Sequence, residues 1–213
     1  MALRALRLDA IEFADIRGLK TSLRPMRPDE AALFHAWATD PDVEPFWGGR
    51  GHYKGFEDFL HHWLPHYFDG SQPHLGRCFT IEDLPAEVRG LPAEGRADSR
   101  PIGMITYNRV DVANRSTEID VVIGGAAYRD RGYGTDAIRA FVGFLFDDVG
   151  LHRVWLGTND YNVRAQRAYE KAGFRREGVM RRSDCVDGRW VDVIIYGILA
   201  DEFRHGDIQS RSP

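Results

Sequence analysis

Residues 129–135 read Arg-Asp-Arg-Gly-Tyr-Gly-Thr, after a strand-like run, Glu118 to Ile123, and before a helix-like run, Ala137 to Val149. A strand, a glycine-rich turn and a helix in this order are the layout of a phosphate-binding loop. The two glycines let a ligand approach the backbone closely and permit torsions that a Cβ forbids. The amide groups at a helix start attract an anion. We therefore expect an anion site at this turn.

Three kinds of structure use such a turn. A dinucleotide-binding loop needs a third glycine, where this chain has Ala137, and an acidic residue ending the next strand, where it has Gly157-Thr158-Asn159. A P-loop needs a lysine that Gly134-Thr135 lacks. The third alternative is a structural turn at a helix start. Taken alone, the two glycines favour the structural turn.

The composition limits the classes of function. The 213 residues are 43% hydrophobic and 28% charged, with a net charge of −4, so no global basic footprint indicates a nucleic-acid partner. No apolar run approaches the roughly 20 residues that span a bilayer, and Arg4, Arg7 and Asp9 interrupt the start where a signal peptide is apolar. Cys78 and Cys185 form no zinc pattern. We expect a cytoplasmic protein that binds no metal, nucleic acid or membrane.

The chain has the pattern of a mixed α+β fold. We predict one domain over residues 21–203, an N-terminal extension over 1–20 and a C-terminal tail over 204–213. Residues 84–100 are rich in Pro, Gly and charge, which predicts a long exposed loop. The predicted helices follow Pro28, Gly55, Gly134 and Asn162, and the predicted strands cover 23–26, 78–82, 101–110, 117–123, 153–158, 179–185 and 190–199.

A second motif follows the glycine turn by about thirty residues, Asn162-x-Arg164-Ala165-x-x-x-Tyr169-x-Lys171-x-Gly173-Phe174. With Arg129-x-x-Gly132-x-Gly134 before it, the chain resembles the GNAT superfamily of acetyl-CoA-dependent N-acetyltransferases over residues 21–203. The resemblance implies a central, mixed, mostly antiparallel twisted sheet flanked by helices. It also implies that two strands splay apart at the cofactor site.

The resemblance implies acetyl-CoA as co-substrate. The strand that ends at Ile123 would pair with pantetheine, and the amides of residues 131–135 would hold the pyrophosphate. Arg129 and Arg131 would add positive charge there. The expected cofactor-binding residues are Val121, Val122, Ile123, Arg129, Arg131, Gly132, Tyr133, Gly134, Thr135, Asn162 and Arg164.

Transfer of an acyl group to an amine needs a proton acceptor, an oxyanion donor and a proton donor. Glu118 and Asp120 lie two apart on a predicted strand, so both carboxylates face one side, either as bases or as a solvent-facing strand edge. The family pattern implies the Val122 amide as oxyanion donor. It also implies that Tyr169 protonates the departing thiolate; the alternative is an aromatic ring that packs on the sheet.

Two branches of the superfamily compete for the acceptor. Residues 150–154 and the hairpin through Asp187-Gly188 resemble acetyltransferases of ribosomal-protein N-termini. Leu23-Arg24-Pro25-Met26, the 46–49 segment and Asp120 resemble aminoglycoside 6′-N-acetyltransferases, although Gly157 stands where those enzymes place a second substrate-binding aspartate. An aminoglycoside, another small amine or a protein N-terminus remain alternatives.

The acceptor pocket is expected to lie along residues 43–75, with Trp47, Tyr53 and Asp120 contacting the substrate. A second hypothesis is a non-catalytic module that binds acyl-CoA, and a third is an acyltransferase for a longer acyl chain, which depends on the room beside Val121 and Ile123. We expect a monomer or a homodimer.

Overall fold

The computed structural model describes residues 5–12, 14–47, 53–63, 65–84 and 99–204. Eight strands in this part of the chain form one sheet in the order β1-β2-β3-β4-β5-β6-β8-β7. The strands are β1 (Ile16–Arg17), β2 (Thr21–Pro25), β3 (Arg77–Asp83), β4 (Arg100–Tyr107), β5 (Ser116–Ile123), β6 (Arg153–Asn159), β7 (Arg175–Val186) and β8 (Arg189–Leu199). Neighbouring strands are antiparallel except β5 and β6, which are parallel. The predicted mixed, mostly antiparallel α+β fold is confirmed.

The helices cover both faces of the sheet. They are α1 (Ala31–Ala38), α2 (Phe56–His62), α3 (His66–Asp69), α4 (Tyr133–Phe144) and α5 (Val163–Ala172). One core lies under α4 and α5 and includes Phe79, Ile119 and Phe141, and the other lies under α1 to α3 and includes Phe34 and Val122. Because Ile119 and Val122 belong to different cores, alternate residues of β5 face opposite sides of the sheet. Among the described residues, no helix has the length and apolar character needed to cross a membrane.

The glycine turn is where the predicted helix differs from the observed one. The helix α4 begins at Tyr133, four residues before the expected Ala137, with Gly132 as its N-cap at φ 84°. Gly134 lowers the helix propensity of that first turn, so the sequence predicts a start that is too late. The expected end at Val149 is correct, but the last residues, Leu145–Val149, form a π-helical turn.

The N-terminal segment is the largest difference from the sequence-based description. Residues 1–20 were expected to be an extension, yet β1 pairs with β2, and Ile11 and Ile16 are buried in the core under α4. A two-residue strand is too short to show an alternating pattern, so the sequence gave no periodic signal. Of these residues, 5–12 and 14–20 are described, and they are part of the domain.

Two local predictions near the C-terminus are confirmed. Asn162 caps α5 by accepting a hydrogen bond from the Ala165 amide (3.3 Å), and Gly173 ends the helix at φ 104°. The turn between β7 and β8 has positive φ at Asp187 (49°) and Gly188 (76°), which suits a two-residue hairpin loop. Most of the predicted 84–100 loop, residues 85–98, and the Gly48-Gly49 turn lie outside the described residues.

Candidate active site

The site begins where the two parallel strands separate. β5 and β6 pair only from Ser116 to Glu118 and from Arg153 to Trp155. Beyond this point β5 continues beside β4 and β6 continues beside β8. The gap opens into a cleft of about 1100 Å³, bordered by residues 120–123 and 157–159. The expected splaying of these strands is therefore present.

The β4–β5 ladder decides which amides face the gap. The carbonyl of Glu118 accepts an amide hydrogen bond from the β4 side (2.8 Å), and the amide of Gly124 donates one to that side (2.9 Å). Because bonded and non-bonded pairs alternate in an antiparallel ladder, Val122 also directs its amide to β4. The amides of Val121 and Ile123 face the gap instead. The Val122 amide, which was expected to be the oxyanion donor, therefore points away from the gap.

The glycine turn closes one end of the cleft. Asp130 (φ 59°) and Gly132 (φ 84°) both adopt left-handed torsions, which fold the backbone tightly before α4 starts. Gly132, Gly134 and Thr135 border the cleft. The first turn of a helix has amides without partners in the helix, and here that turn faces the cleft. The arrangement suits an anion such as a pyrophosphate.

Arg129, which was expected to add positive charge beside the pyrophosphate, borders the cleft, but its side chain also has partners within the protein. Its side chain is 8% exposed and forms ion pairs with Asp40 (3.5 Å) and Asp42 (3.3 Å). It also donates hydrogen bonds to the carbonyls of Ile123 (3.1 Å) and Gly124 (2.7 Å). Its charge is thus offset by two carboxylates, and the side chain braces the end of β5 where it borders the cleft.

Two other residues of the turn also differ from expectation. Among the described residues that border the cleft, Arg131 and Tyr133 are absent. The carbonyl of Arg131 accepts a hydrogen bond from Lys20 Nζ (2.9 Å), and the Tyr133 ring packs edge-on against Tyr128. These contacts organise the turn.

Asn162 and Arg164 both border the cleft, as expected for residues that contact a cofactor arm. The Asn162 side chain is already occupied, because Nδ2 donates to Thr158 Oγ1 (3.0 Å) while Oδ1 caps α5. It therefore joins the start of α5 to the end of β6. The Arg164 guanidinium lies over the Phe46 ring, 5.8 Å from its centroid.

Glu118 and Asp120 face the same cleft from the β5 side. Asp120 Oδ2 accepts a hydrogen bond from Asn108 Nδ2 (2.8 Å), and Asn108 Oδ1 accepts one from the Tyr67 hydroxyl (3.2 Å). This chain of hydrogen bonds holds the Asp120 carboxylate in place. The role of Asn108 was not predicted, because a single polar residue after a strand belongs to no sequence motif.

The carboxylates are perturbed in the direction that suits a base. Burial raises the pKa of Glu118 to about 7, repulsion from Asp120 adds to the increase, and a hydrogen bond from Asn108 opposes it. Burial also raises the pKa of Asp120, again opposed by the Asn108 hydrogen bond. A general base works best when its pKa lies near the working pH. The pair is therefore suited to accept a proton near neutral pH.

Tyr169 lies on α5 and borders the cleft while its ring packs against Phe174 and Tyr196. The residue is 7% exposed. Burial raises the pKa of its hydroxyl, the charge of Asp120 adds to this, and a hydrogen bond with Thr158 opposes it. The phenol is thus protonated at neutral pH, as a proton donor must be. The packing alternative and the proton-donor role are compatible, since the ring is buried and the residue still reaches the cleft.

Aromatic side chains form another part of the cleft wall. The rings of Trp47 and Trp63 stack at 6.2 Å, and Trp63 Nε1 donates a hydrogen bond to the Tyr53 hydroxyl (3.0 Å). All three residues border the cleft. Phe59, from the same 43–75 segment, is fully buried in the core instead. The structure therefore brings Trp47 and Tyr53 into one cleft with Asp120.

A bulge in β7 adds side chains that the sequence did not reveal. From Met180 to Asp184 the pairing advances four residues along β7 but only two along β8. Arg182 takes a left-handed φ of 51° there, and its amide donates to Asp192 Oδ1 (2.8 Å). Such bulges redirect side chains beside active sites. Here Met180, Ser183 and Asp184 border the cleft.

Asp184 brings a further carboxylate to the cleft that also contains Gly157. Its Oδ2 accepts a hydrogen bond from Asn159 Nδ2 (3.3 Å). The acidic residue that the aminoglycoside pattern places on β6 is thus missing at Gly157, while β7 supplies one from another position. Within the described residues, no cluster of His, Cys, Asp or Glu has the arrangement of a metal site.

Comparison with protein families matches residues 20–175 to the acetyltransferase (GNAT) domain. The probable N-acetyltransferase YjcK of Bacillus subtilis is 30% identical over 103 residues, which cover 48% of this chain and 57% of that protein. The chain thus spans little more than half of YjcK. The aminoglycoside N(6′)-acetyltransferase type 1 of Klebsiella pneumoniae is 26% identical over 176 residues, covering 76% of this chain and 78% of that enzyme.

Among solved structures, spermidine N-acetyltransferase from Vibrio cholerae, in complex with CoA and spermine, has the same fold. The TM-score is 0.70 at 21% identity, and the superposition covers 87% of this chain and 98% of that one. The matched residues include the separated strands, the glycine turn and α5, whereas Met180, Ser183 and Asp184 border the cleft from outside the matched region.

Proposed function

This chain belongs to the GNAT acetyltransferase family, and on that premise we propose that it takes the acetyl group from acetyl-CoA and transfers it to a small cationic amine. The family makes the protein an N-acetyltransferase. The observation that carries the finer proposal is one cleft bordered by three carboxylates, Glu118, Asp120 and Asp184, and by the aromatic residues Trp47 and Tyr53.

The donor half of the cleft fits acetyl-CoA, which supplies the acetyl thioester. The glycine turn and the first turn of α4 offer amides to its pyrophosphate, and Gly132 keeps that approach open because it carries no side chain. The amides of Val121 and Ile123 face the gap, and that of Ile123 suits an amide carbonyl of a pantetheine arm. A related structure that contains CoA supports this choice of donor.

The acceptor half fits a cation. Aromatic faces attract ammonium groups, and carboxylates in a partly enclosed cleft attract them further. Trp47, Tyr53 and Trp63 border the same cleft as Glu118 and Asp120, and Asp184 adds a third carboxylate. An acceptor with two or more ammonium groups matches this layout. Spermine in the Vibrio cholerae structure and the aminoglycosides of the Klebsiella enzyme are compounds of this kind.

The residues of the cleft support direct transfer. Glu118 or Asp120 accepts a proton from the acceptor ammonium, which frees the nitrogen lone pair to attack the thioester carbon. The Val121 amide is placed to donate to the oxyanion. The C–S bond then breaks as Tyr169 gives a proton to the departing thiolate, and the acetylated nitrogen returns its extra proton to the resulting phenolate. The products are an N-acetyl amine and CoA.

A thiol-release assay with acetyl-CoA tests the proposal against three acceptors: spermidine, kanamycin and a peptide with a free N-terminus. We expect turnover with a polycation and little with the peptide. Turnover with the peptide alone would favour the N-terminal acetyltransferase alternative. Saturable CoA binding without turnover on any acceptor would support the non-catalytic module, and preference for a longer acyl-CoA would correct the donor. Asp120→Asn should lower turnover by at least about tenfold.

A further inference from the structure

The turn between β1 and β2 is attached to the start of α4 by a single carboxylate. Asp136 accepts hydrogen bonds from the amides of Leu19 (2.9 Å), Lys20 (2.9 Å) and Thr21 (3.0 Å), and from the Thr21 hydroxyl (2.8 Å). At Gly18 a Cβ would overlap the Asp136 carboxylate, so the fit there requires glycine. The N-terminal segment is thereby held against the glycine turn.

This attachment places the ammonium group of Lys20 on the glycine turn itself. Lys20 Nζ donates to the carbonyl of Arg131 (2.9 Å) and lies 5.7 Å from the centroid of the Tyr133 ring. A Cβ built on Gly132 would be 3.7 Å from the same nitrogen. Lys20 also borders the cleft. An anion seated on the amides beside Gly132 would therefore lie next to a positive charge.

The other charges near the glycine turn leave Lys20 as a source of positive charge for an anion. Arg129 is offset by Asp40 and Asp42, so it contributes little positive charge to the turn. Asp130 and Asp136 add negative charge nearby, which opposes the binding of an anion. A carbonyl is a weaker partner for an ammonium than a phosphate oxygen is. The lysine can thus exchange its contact with the carbonyl for one with a ligand.

We propose that Lys20 is a phosphate-binding residue of this enzyme, which contacts the pyrophosphate of CoA, and that Asp136 is the positioning residue that holds it there. The inference rests on the proposed use of CoA. It assigns a role to a segment that the sequence treats as lying before the domain. Lys20 acts on the donor alone, so it should not affect the choice of acceptor.

Calorimetric titration of CoA into wild type and Lys20→Met tests the proposal. We expect about tenfold weaker binding in the variant, the size of one charge-assisted hydrogen bond, with an unchanged melting temperature. Lys54→Met is the matched control, since Lys54 is an exposed lysine away from the cleft, and it should bind as wild type does. Equal affinity in all three proteins would overturn the proposed role of Lys20 and leave the proposed function standing. Absence of CoA binding by wild type would overturn the proposed function as well.

The 3′-phosphate of CoA is the competing source of the same contact, and 3′-dephospho-CoA separates the two. If Lys20 contacts the pyrophosphate, Lys20→Met weakens binding of both ligands by the same factor. If the variant weakens CoA only, the pyrophosphate assignment is wrong.

A double-mutant cycle with Asp136→Asn tests the positioning role. If Asp136 acts through Lys20, Asp136→Asn weakens CoA binding in the wild-type background and has little further effect in Lys20→Met. Additive losses of affinity would show that the two residues act separately. A lower melting temperature with unchanged affinity would reduce Asp136 to a structural contact.

Discussion

The pH dependence of turnover should reveal Glu118 directly. Burial and the charge of Asp120 raise its pKa from 4.5 to about 7. With a pKa of about 7, roughly 9% of Glu118 is ionised at pH 6 and roughly 91% at pH 8, a difference of about tenfold. With its ordinary pKa the carboxylate would be almost fully ionised at both values. If Glu118 is the base, kcat/KM should therefore fall as the pH is lowered from 8 to 6. A carboxylate with its ordinary pKa would produce no such fall over this range.

The measurement is the ratio of kcat/KM for wild type to that for Glu118→Gln, followed from pH 6 to pH 8. Both proteins act on the same amine, so titration of the amine cancels in the ratio. We expect the ratio to rise about tenfold across this range. Glu57→Gln, which removes an exposed carboxylate outside the cleft, should give a flat ratio against wild type. A flat ratio for Glu118→Gln would refute its role as the base.

Asp120→Asn refines the assignment. Loss of the neighbouring charge should lower the pKa of Glu118, so the remaining activity should persist to lower pH than in wild type. The pKa should stay above 4.5, because burial is the larger cause of the shift. An unchanged midpoint would show that the two carboxylates do not interact.

The same shift has a consequence for stability. A raised pKa means that the folded state binds the proton of Glu118 more tightly than the unfolded state does. That contribution is complete below pH 4.5 and disappears as the pH rises through about 7. Glu118→Gln should therefore raise the melting temperature at pH 8, with a smaller gain at pH 5. A gain that grows toward low pH would contradict the sign.

Three further changes test the proton donor, the packing beneath the turn and a buried ion pair. Tyr169→Phe should lower kcat by at least about tenfold without changing the affinity for acetyl-CoA, and wild-type turnover would leave Tyr169 with its packing role only. Gly124→Ala places a Cβ against the Trp37 ring and should lower the free energy of unfolding, measured by chemical denaturation, by about 1–3 kcal/mol. Gly178→Ala is the control and should cost little, because a Cβ there has no neighbour within 4 Å. Equal losses in the two variants would refute the clash. Glu30→Gln breaks the ion pairs of the buried Glu30 carboxylate with Arg24 and Arg27, and it should cost about 2 kcal/mol of folding free energy at pH 7. This loss should shrink as the pH falls below about 4.5, because the pKa of Glu30 is lowered.

The local parts of the fold were predictable because their signals are local. Asn162 and Gly173 mark the ends of α5, and Asp187-Gly188 marks the hairpin, by torsions and hydrogen bonds that span only a few residues. The carboxylates of Glu118 and Asp120 share a face because a strand alternates, whatever its neighbours are. Each of these predictions depends on the chemistry of one short segment.

The parts of the site that the sequence could not show involve contacts between distant segments. The Val122 amide was chosen as oxyanion donor without the register of β4 and β5, which turns it away from the gap. Arg129 was assigned to the pyrophosphate without knowledge that Asp40 and Asp42 lie against it. A charge in a sequence has no visible partner until the chain folds.

The sequence by itself determined the family, because the glycine turn and the motif around Tyr169 are short patterns that carry the resemblance, and the resemblance implies the acetyl-CoA donor proposed above. Only the tertiary structure decided what surrounds that cofactor. Separation of β5 from β6 creates the cleft, the β7 bulge turns Asp184 into it, and Asp136 brings Lys20 to the glycine turn from 116 residues away in sequence. Strand register and long-range hydrogen bonds govern these placements, and neither is encoded in any single stretch of the chain.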